Sequence, residues 1–355
     1  MIIDLRSDTI TRPTAAMLDA MRNAEVGDDV FGEDPTVNEL QRFAAEMFGM
    51  EAGLYCSSGT QTNQIAINVH TRPGDEVICS DVAHVYLYEG GGIAQNAGAS
   101  VRLIHGDRGR ITAEQIERNI NADDAHFPNT SLVCVENTSN KGGGAIYDLN
   151  ELKKISALCK LRGMALHCDG ARIFNALVAT GASAKEFGSL FDSISICLSK
   201  GLGAPVGSVL IGSKDFIYRA HRRRKSFGGG MRQAGFIAAA GLHALNHHIV
   251  RLKEDHQRAR QLAVIVAKCP WVKEVMPIDT NIVIVQVDDE LTSADALGAL
   301  SLNDIKCFTF GNDKLRFVTH LDFTDEHLNA FENQIATVDP FEARKTFTGR
   351  LPGMY

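Results

Sequence analysis

Short apolar segments alternate with helical patterns between residues 50 and 245 of this 355-residue chain. Several of these segments are apolar at successive positions, as in parallel strands that are buried on both faces of a sheet. The seven predicted strands are residues 52–56, 76–79, 101–104, 131–135, 164–168, 194–198 and 208–211. Helical patterns separate most of them, at residues 60–69, 84–97, 112–119, 149–161 and 184–190. The alternation predicts an α/β fold with a mainly parallel seven-stranded sheet covered by helices.

The rest of the chain predicts a second, smaller domain, because 355 residues exceed the usual size of a single core. A charged helix at residues 250–268 leads into alternating strands and helices. We therefore expect an N-terminal segment at residues 1–35 that contributes to an active site, a large domain at residues 36–248 and a small α+β domain at residues 249–355. The acidic part of the first segment, residues 27–35, is either a solvated loop or one that reaches an active site or a neighbouring subunit.

The composition of the chain argues against some classes of binding partner. A net charge of −7 argues against nucleic acid. No apolar segment approaches the length of a membrane span, and the N-terminus lacks a cleavable signal pattern, so we expect a cytoplasmic protein without a membrane partner. The eight cysteines include no Cys-x-x-Cys pair and are expected in the core, with no metal site.

Lys200 follows a predicted strand and begins a glycine-rich segment, Ser199-Lys200-Gly201-Leu202-Gly203. Such glycines let the backbone approach a ligand closely. A lysine amine in a crowded, desolvated place forms a Schiff base with an aldehyde, and Ser199 offers a hydrogen bond to a phosphate. The alternative is a lysine that is simply exposed at the end of a strand.

Asp169 directly follows another predicted strand, and a buried carboxylate needs a partner. The protonated nitrogen of a pyridine ring is a good partner, and together with Lys200 it indicates pyridoxal 5'-phosphate (PLP). The alternative is an ion pair with Arg172, which is also placed to meet the phenolic oxygen of the cofactor or a substrate carboxylate.

Two segments are candidates for binding a phosphate. Ser58, Gly59 and Thr60 open a helix, and free N–H groups at a helix N-terminus form an anion site. Arg232 follows three glycines and can bind a phosphate or a carboxylate. The alternatives are an ordinary helix start and a charged helix end.

The histidines carry weaker signals. His84 opens the helix after the second predicted strand, where its ring is placed to stack on a pyridine, although a structural role is the alternative. The sequence around His126 gives that residue little weight. His243 and His247 have helical spacing but lack the carboxylate of a zinc hydrolase motif, so we expect them on the surface.

Taken together, these motifs resemble those of the threonine aldolases, PLP-dependent lyases with the aspartate-aminotransferase-like fold, a PLP-dependent transferase-like fold of type I. The resemblance covers nearly the whole chain, from Asp4-Leu5-Arg6-Ser7-Asp8-Thr9 to Arg316-Phe317-Val318-Thr319-His320. The motifs between these ends are Val26-Gly27-Asp28-Asp29-Val30, Gly59-Thr60-Gln61, Ala83-His84, Glu136-Asn137-Thr138, His167-Cys168-Asp169-Gly170-Ala171-Arg172, Cys197-Leu198-Ser199-Lys200-Gly201-Leu202-Gly203 and Gly228-Gly229-Gly230-Met231-Arg232-Gln233.

The resemblance implies a role for each candidate. PLP is expected to be bound covalently to Lys200, with Asp169 at the pyridinium nitrogen. The other implied cofactor contacts are Ser58, Gly59, Thr60, His84, Arg172, Ser199 and Arg232. The implied substrate contacts are Ser7, His84, His126, Arg172 and Arg316. A homo-oligomer is also implied, a tetramer built of dimers with active sites at a subunit interface.

The implied reaction is the reversible retro-aldol cleavage of L-threonine, L-allo-threonine and related β-hydroxy-α-amino acids to glycine and an aldehyde. Either His84 or His126 is expected to remove the proton of the β-hydroxyl group. Phe31 and Ser139 stand where relatives often have tyrosine and histidine, so the preferred substrate stays open. The alternatives are a phenylserine-preferring aldolase, a β-eliminating PLP lyase of the same fold, an aminotransferase, or a protein that only binds PLP.

Overall fold

A computed structural model describes residues 1–346, which belong to two compact units. One unit comprises Pro13–Ile249, and the other comprises Met1–Arg12 together with the described chain from Val250 to residue 346. The strands in residues 1–346 are β1 (Ile3–Asp4), β2 (Ala52–Cys56), β3 (Glu76–Ser80), β4 (Ser100–Ile104), β5 (Thr130–Glu136), β6 (Ala165–Gly170), β7 (Ser193–Cys197), β8 (Ser208–Gly212), β9 (Val272–Val275), β10 (Ile282–Val287), β11 (Ile305–Lys306), β12 (Phe308–Thr309) and β13 (Lys314–Val318).

The α-helices of the same residues are α1 (Ala15–Arg22), α2 (Pro35–Met47), α3 (Gly59–His70), α4 (His84–Leu87), α5 (Ala113–Glu117), α6 (Leu149–Arg162), α7 (Ile173–Thr180), α8 (Ala184–Gly188), α9 (Lys214–Ser226), α10 (Gly235–His247), α11 (Leu252–Val266), α12 (Ser293–Leu302), α13 (Asp325–Ile335) and α14 (Pro340–Thr346). Two 3-10 helices at Asp8–Ile10 and Asp29–Phe31 and a π-helix at Ile93–Ala97 complete the helical segments.

The larger unit is built on a seven-stranded sheet with the strand order β2-β8-β7-β6-β5-β3-β4. Strands β4, β3, β5, β6 and β7 pair in parallel, whereas β8 runs antiparallel to both β7 and β2. Every residue of β3, β7 and β8 is buried, as expected for strands that are covered on both faces. The predicted α/β fold with a mainly parallel seven-stranded sheet is confirmed.

The prediction of one continuous helix at residues 84–97 of this unit is wrong, because the helix is interrupted in its middle. The segment 84–97 contains only the short α4 and the π-helix Ile93–Ala97. Gly90 and Gly91 lie between them with φ of 61° and 72°, in the left-handed region. Such conformations end a helix, and glycine adopts them without steric cost.

The smaller unit contains a four-stranded antiparallel sheet, β12-β13-β10-β9, with α11, α12 and α13. Its core includes Trp271, Phe317 and Phe331, and it agrees with the predicted small α+β domain. The first twelve residues belong to this unit, unlike the N-terminal segment 1–35 expected from the sequence. They do so because β1 pairs in parallel with β11 and the carbonyl of Leu5 accepts a hydrogen bond from the Val318 N–H.

All eight cysteines lie in the described part of the chain, where they are buried and form no disulfide. A search of the described helices for one long and apolar enough to cross a membrane gave none.

Candidate active site

Five strands of the large sheet end at the same edge, and four of them carry a predicted site residue at or just beyond this end. Strands β3, β5, β6 and β7 are parallel, and β2 runs in the same direction because both it and β7 are antiparallel to β8. Ligands of α/β proteins bind at the carboxyl ends of such strands. The residues at this edge are Ser58 after β2, His84 after β3, Glu136 in β5, Asp169 in β6 and Lys200 after β7.

Asp169 is held in place by hydrogen bonds from two directions. Its Oδ1 accepts from the Ala171 N–H at 3.1 Å, and its Oδ2 accepts from Asn63 Nδ2 at 2.9 Å. Asp169 is 3% exposed and Asn63 is 1% exposed. A carboxylate in such a place needs hydrogen bonds or a positive partner, and the structure supplies the hydrogen bonds.

His84 lies beside two buried carboxylates. Its backbone N–H donates to Glu136 Oε2 at 3.0 Å, and its ring Nδ1 lies 3.2 Å from Glu89 Oε1. The same Glu89 oxygen accepts from Asn63 Nδ2 at 2.9 Å, so Asn63 joins Glu89 to Asp169. Polar atoms of His84, Glu89 and Asp169 lie within 4.8 Å of one another. The three side chains therefore form one polar cluster.

The charges of this cluster shift the pKa values of its members. Burial alone would lower the pKa of His84, but the hydrogen bond to Glu89 and the negative charges of Asp169 and Glu136 together raise it above its ordinary value. Burial and the nearby Asp169 charge raise the pKa of Glu136. The cluster therefore stabilises the charged form of the His84 ring, and His84 is a group that can exchange a proton at this edge.

Lys200 lies in the loop that joins β7 to β8. The Lys200 carbonyl accepts a hydrogen bond from the Gly203 N–H at 2.8 Å, and the Leu198 N–H donates to Gly207 at 3.0 Å, so the loop is tightly turned. Gly203 and Gly207 have φ of 80° and 112°, conformations that favour glycine. Lys200 and Ser199 are half-buried, and the Lys200 ammonium has no hydrogen-bond or ion-pair partner among the described residues.

The first turn of α3 packs against the end of β7, next to the lysine loop. Ser58 caps this helix by accepting a hydrogen bond from the Gln61 N–H at 3.1 Å. A Cβ atom added to Gly59 would lie 2.5 Å from Cys197 Sγ, so only glycine lets the helix start so close to the strand. The structure thus brings the predicted anion site of Ser58, Gly59 and Thr60 to the segment that carries Lys200.

Arg172 follows β6 at the same edge and is buried. Its Nη1 lies 3.5 Å from Asn140 Oδ1. The predicted ion pair partner Asp169 instead has the hydrogen bonds to Asn63 and Ala171 described above.

Two predicted site residues of this unit lie outside the cluster in the single chain. His126 is in an exposed loop, where 88% of its side chain is accessible and its Nδ1 lies 2.6 Å from Asp124 Oδ1. Arg232 is also exposed, and its Nη1 pairs with Asp28 Oδ2 at 2.8 Å. The guanidinium carbon of Arg232 lies 6.0 Å from the centre of the exposed Phe31 ring.

The glycines before Arg232 nevertheless lie near the anion site. A Cβ atom added to Gly229 would lie 2.2 Å from Gln61 Nε2, in the first turn of α3.

Ser139, which like Phe31 departs from the pattern of relatives, is buried and accepts a hydrogen bond from the Gly142 N–H at 3.2 Å.

Two predicted substrate contacts belong to the smaller unit. Ser7 is buried and caps the 3-10 helix Asp8–Ile10, with its Oγ accepting from the Thr9 N–H at 3.2 Å. Arg316 lies in the middle of β13, and its Nη2 donates to the Arg6 carbonyl at 3.2 Å. The hydrogen bond links Arg316 to the segment that contains Ser7.

Glu89 and Asn63 belong to the cluster although no sequence pattern predicted them. Glu89 lies beyond α4, and its Oε2 accepts a hydrogen bond from Gln64 Nε2 at 2.6 Å. An acidic residue before three glycines is a weak local signal for Glu89, and an asparagine within a helix, such as Asn63, gives no local signal of a site. Their importance comes from contacts across 26 and 106 positions of the chain.

Comparisons with known proteins identify the family of the chain. Residues 4–290 match the family model described as beta-eliminating lyase. The chain is 45% identical over 328 residues to the low specificity L-threonine aldolase of Escherichia coli K12, covering 92% of this chain and 96% of that protein. It is 42% identical over 299 residues to the low specificity L-threonine aldolase of Saccharomyces cerevisiae, covering 83% and 76% of the two chains.

Solved structures show the same fold. The threonine aldolase of Leishmania major superposes with a TM-score of 0.82 at 23% identity, covering 94% of this chain and 98% of that one. A putative L-allo-threonine aldolase of Listeria monocytogenes gives a TM-score of 0.75 at 21% identity, covering 91% and 92%. On the family model and the full-length identity to these relatives, the chain belongs to the beta-eliminating lyase family.

Proposed function

We propose that the chain is a PLP-dependent aldolase that cleaves L-threonine, L-allo-threonine and related β-hydroxy-α-amino acids to glycine and an aldehyde. One observation carries the proposal: the adjacent parallel strands β6 and β7 bring the buried Asp169 and the unpartnered Lys200 ammonium to the same edge of the sheet. Relatives that are 45% and 42% identical bear the name low specificity L-threonine aldolase, which supports this activity over others of the family.

The residues at this edge fit PLP. Lys200 supplies an amine for covalent attachment, and Asp169 supplies a fixed carboxylate for a protonated ring nitrogen. The helix start at Ser58, Gly59 and Thr60 supplies backbone N–H groups for a phosphate, and the close approach of Gly59 to Cys197 leaves no room for a larger residue. When bound, PLP supplies an electron sink for the electrons of the Cα–Cβ bond.

His84 is suited to accept the proton of the β-hydroxyl group at Nε2. Its Nδ1 faces Glu89, so a neutral ring donates from Nδ1 and leaves the Nε2 lone pair available. The raised pKa of His84, to which Glu89, Asp169 and Glu136 contribute, stabilises the ring once it has taken the proton. His126 remains the second candidate for this base, acting directly or through water.

The substrate carboxylate is assigned to Ser7, Arg172 and Arg316. Arginine forks bind carboxylates through two parallel hydrogen bonds and so fix the orientation of the amino acid. That orientation decides which bond to Cα is cleaved, because the substrate must be held with the Cα–Cβ bond aligned for reaction. His84 and Ser199 complete the proposed cofactor contacts, together with Arg172 and Arg232.

We also propose that the protein is a cytoplasmic homo-oligomer, a tetramer built of dimers. The exposure of His126 and Arg232 in the single chain supports a second copy at the active site, because both residues are expected to contribute to that site. The eight unpaired cysteines support a reducing compartment. Light scattering with and without PLP tests the oligomer.

A β-eliminating lyase is the second candidate function, favoured by the description of the matching family model. The two activities differ in their products. An aldolase releases glycine and an aldehyde from a β-hydroxy amino acid, whereas a β-eliminating lyase releases pyruvate and ammonia from serine or cysteine. The purified protein with PLP is therefore incubated with each amino acid, phenylserine included, and all four products are measured. Pyruvate and ammonia without glycine would overturn the proposed function.

A further inference from the structure

A row of buried hydrogen bonds leads from Asp169 to the first residue of β7 and on to His70. Asn63 Nδ2 lies 2.9 Å from Asp169 Oδ2, and Asn63 Oδ1 lies 3.1 Å from His167 Nε2. Ser193 Oγ lies 2.8 Å from His167 Nδ1 and 2.8 Å from His70 Nε2. These five side chains, which we call the Asp169 relay, come from α3, β6 and β7.

Two carboxylates determine the direction of the first bond. Asn63 Nδ2 lies 2.9 Å from an oxygen of Asp169 and 2.9 Å from an oxygen of Glu89. An amide nitrogen has two protons, and each of these carboxylate oxygens needs one. The amide oxygen of Asn63 is therefore turned to His167, and it must accept a hydrogen bond from the Nε2–H group of His167.

The next bond follows from the single proton of a neutral imidazole. Burial lowers the pKa of His167 to about 4, although the charge of Asp169 works against this shift. The ring is neutral near pH 7 and has its proton on Nε2, so its Nδ1 is an acceptor. The hydroxyl proton of Ser193 must then point to His167 Nδ1.

The direction of the last hydrogen bond, between Ser193 and His70, follows by the same reasoning. Because the only proton of Ser193 is used, its oxygen accepts from His70 Nε2. Burial and the charge of Arg219 lower the pKa of His70 to about 3, so this ring is also neutral and has its proton on Nε2. His70 stacks on Phe216, with the ring centres 4.5 Å apart, which holds the ring in place.

All four bonds of the relay thus donate towards Asp169. Hydrogen bonds that point the same way polarise one another, and their positive ends face the carboxylate. We propose that Asn63 and His167 are positioning residues that keep the Asp169 carboxylate oriented for the ring nitrogen of a pyridine cofactor, with Ser193 and His70 fixing the proton of His167. The cofactor in this statement rests on the proposed function, whereas the direction of the relay does not.

The direction is tested in the wild-type protein by 15N NMR of the histidine rings, before and after PLP is added. His70→Gln and His167→Gln spectra assign the two rings. We expect both to have a protonated Nε2 and an unprotonated Nδ1 between pH 6 and 8, a range above both pKa values. A proton on Nδ1 of His167, or a doubly protonated ring, would overturn the relay.

The effect on the cofactor is tested by Asn63→Ala, with Asn68→Ala as the matched control on the same helix. Asn68 donates to the Asn96 carbonyl at 2.6 Å and has no part in the relay. We expect Asn63→Ala to weaken PLP binding by about 10-fold to 100-fold, because a hydrogen bond to a charged group is lost, and Asn68→Ala to leave it unchanged. Equal dissociation constants for the wild type and Asn63→Ala, with both folded by circular dichroism, would contradict the proposal.

The two sources of failure are separable. If the wild-type protein binds no PLP, the proposed function fails, and the cofactor half of this inference fails with it. If the wild type binds PLP and cleaves threonine while Asn63→Ala binds PLP equally well, only the positioning role fails. The proton positions on His70 and His167 decide the relay in either case.

Discussion

His84 Nδ1 lies 3.2 Å from Glu89 Oε1, and 29% of the His84 side chain is accessible while that of Glu89 is fully buried. The contact, together with the charges of Asp169 and Glu136, outweighs the effect of burial and raises the pKa of His84. Glu89→Gln should lower this pKa, because the amide keeps the shape of Glu89 but not its charge. NMR titration of the His84 ring measures the change, and the exposed Glu117→Gln is the control. An unchanged His84 pKa in Glu89→Gln would contradict this assignment.

The same contact makes stability depend on pH. Because the pKa of His84 is raised in the folded state, its stabilisation is complete below the ordinary histidine pKa of about 6.5 and is lost as the pH rises through the higher folded value. As the pH rises through this range, the free energy of unfolding should fall by a smaller amount in Glu89→Gln than in the wild type. Urea unfolding from pH 5.5 to 8.5 measures it, and parallel curves for the two proteins would count against the contact.

Gly59 is required by the packing of α3 against β7. Gly59→Ala places a Cβ atom against Cys197 Sγ, so we expect the free energy of unfolding to fall by about 1–3 kcal/mol. The double variant Gly59→Ala/Cys197→Ala removes the opposing atom and should recover most of the loss. Urea unfolding of the two single variants and the double variant measures the coupling. Strictly additive effects would show that the contact is not the cause.

Arg224 and Asp29 form a buried ion pair, with Arg224 Nη2 lying 2.8 Å from Asp29 Oδ2. Arg224 Nη1 also donates to the Tyr55 carbonyl at 2.6 Å. Arg224→Ala leaves a buried carboxylate without its cation and should cost about 3–5 kcal/mol of the free energy of unfolding. The neighbouring Arg223→Ala, on the exposed face of α9, is the control and should cost less than about 0.5 kcal/mol.

The effect of Arg224→Ala should diminish at low pH. Burial already raises the pKa of Asp29 in the presence of Arg224, and removal of the cation raises it further. A carboxyl with a raised folded pKa destabilises the protein as the pH rises above its unfolded value, so acid partly restores the variant. A loss of stability that is the same at pH 5 and pH 8 would contradict an ionised Asp29.

Arg316 is proposed to bind the substrate carboxylate, so Arg316→Ala should chiefly raise KM. Arg316→Lys keeps the charge but loses the fork and should recover only part of the affinity. Lys314→Ala, two residues away on the same strand, is the control. Steady-state kinetics separate KM from kcat, and an unchanged KM in Arg316→Ala would remove Arg316 from the substrate site.

The two candidate bases differ in burial, which separates their tests. His126 is exposed, so His126→Ala should leave the free energy of unfolding within about 0.5 kcal/mol of the wild type. At least one of His84→Ala and His126→Ala should lower kcat by about 10²-fold to 10⁴-fold, the usual contribution of a general base. Full turnover in both variants would assign the proton transfer to water or to another group.

Local sequence patterns predicted much of the fold, because a strand that is buried on both faces can be recognised from its apolar residues. Residues 194–198, for example, fall within one residue of the observed β7. The segment 84–97 was wrong because its apolar residues match a helix while Gly90 and Gly91 interrupt it. No local pattern shows that residues 1–12 pair with the C-terminal unit, since that depends on contacts such as Ile3 with Ile305.

Some residues of the candidate site could likewise be predicted from the sequence, and others could not. Lys200 and Asp169 could be predicted, because each is a polar residue at the end of a buried strand or just beyond it and so lies at the sheet edge. Glu89 and the relay through His167 could not, because their partners come from other elements, as with Asn63 in α3. The exposure of His126 and Arg232 is a property of the folded single chain that sequence motifs do not encode.

The most direct test of the central claim is the identity of the products from L-allo-threonine and L-threonine. Wild-type protein with PLP is followed by NMR, beside Lys200→Ala under the same conditions. We predict glycine and acetaldehyde in equal amounts from the wild type, with a visible PLP absorption band that Lys200→Ala lacks, and no comparable turnover in that variant. Pyruvate and ammonia in place of glycine, or an unchanged absorption band in Lys200→Ala, would contradict the account.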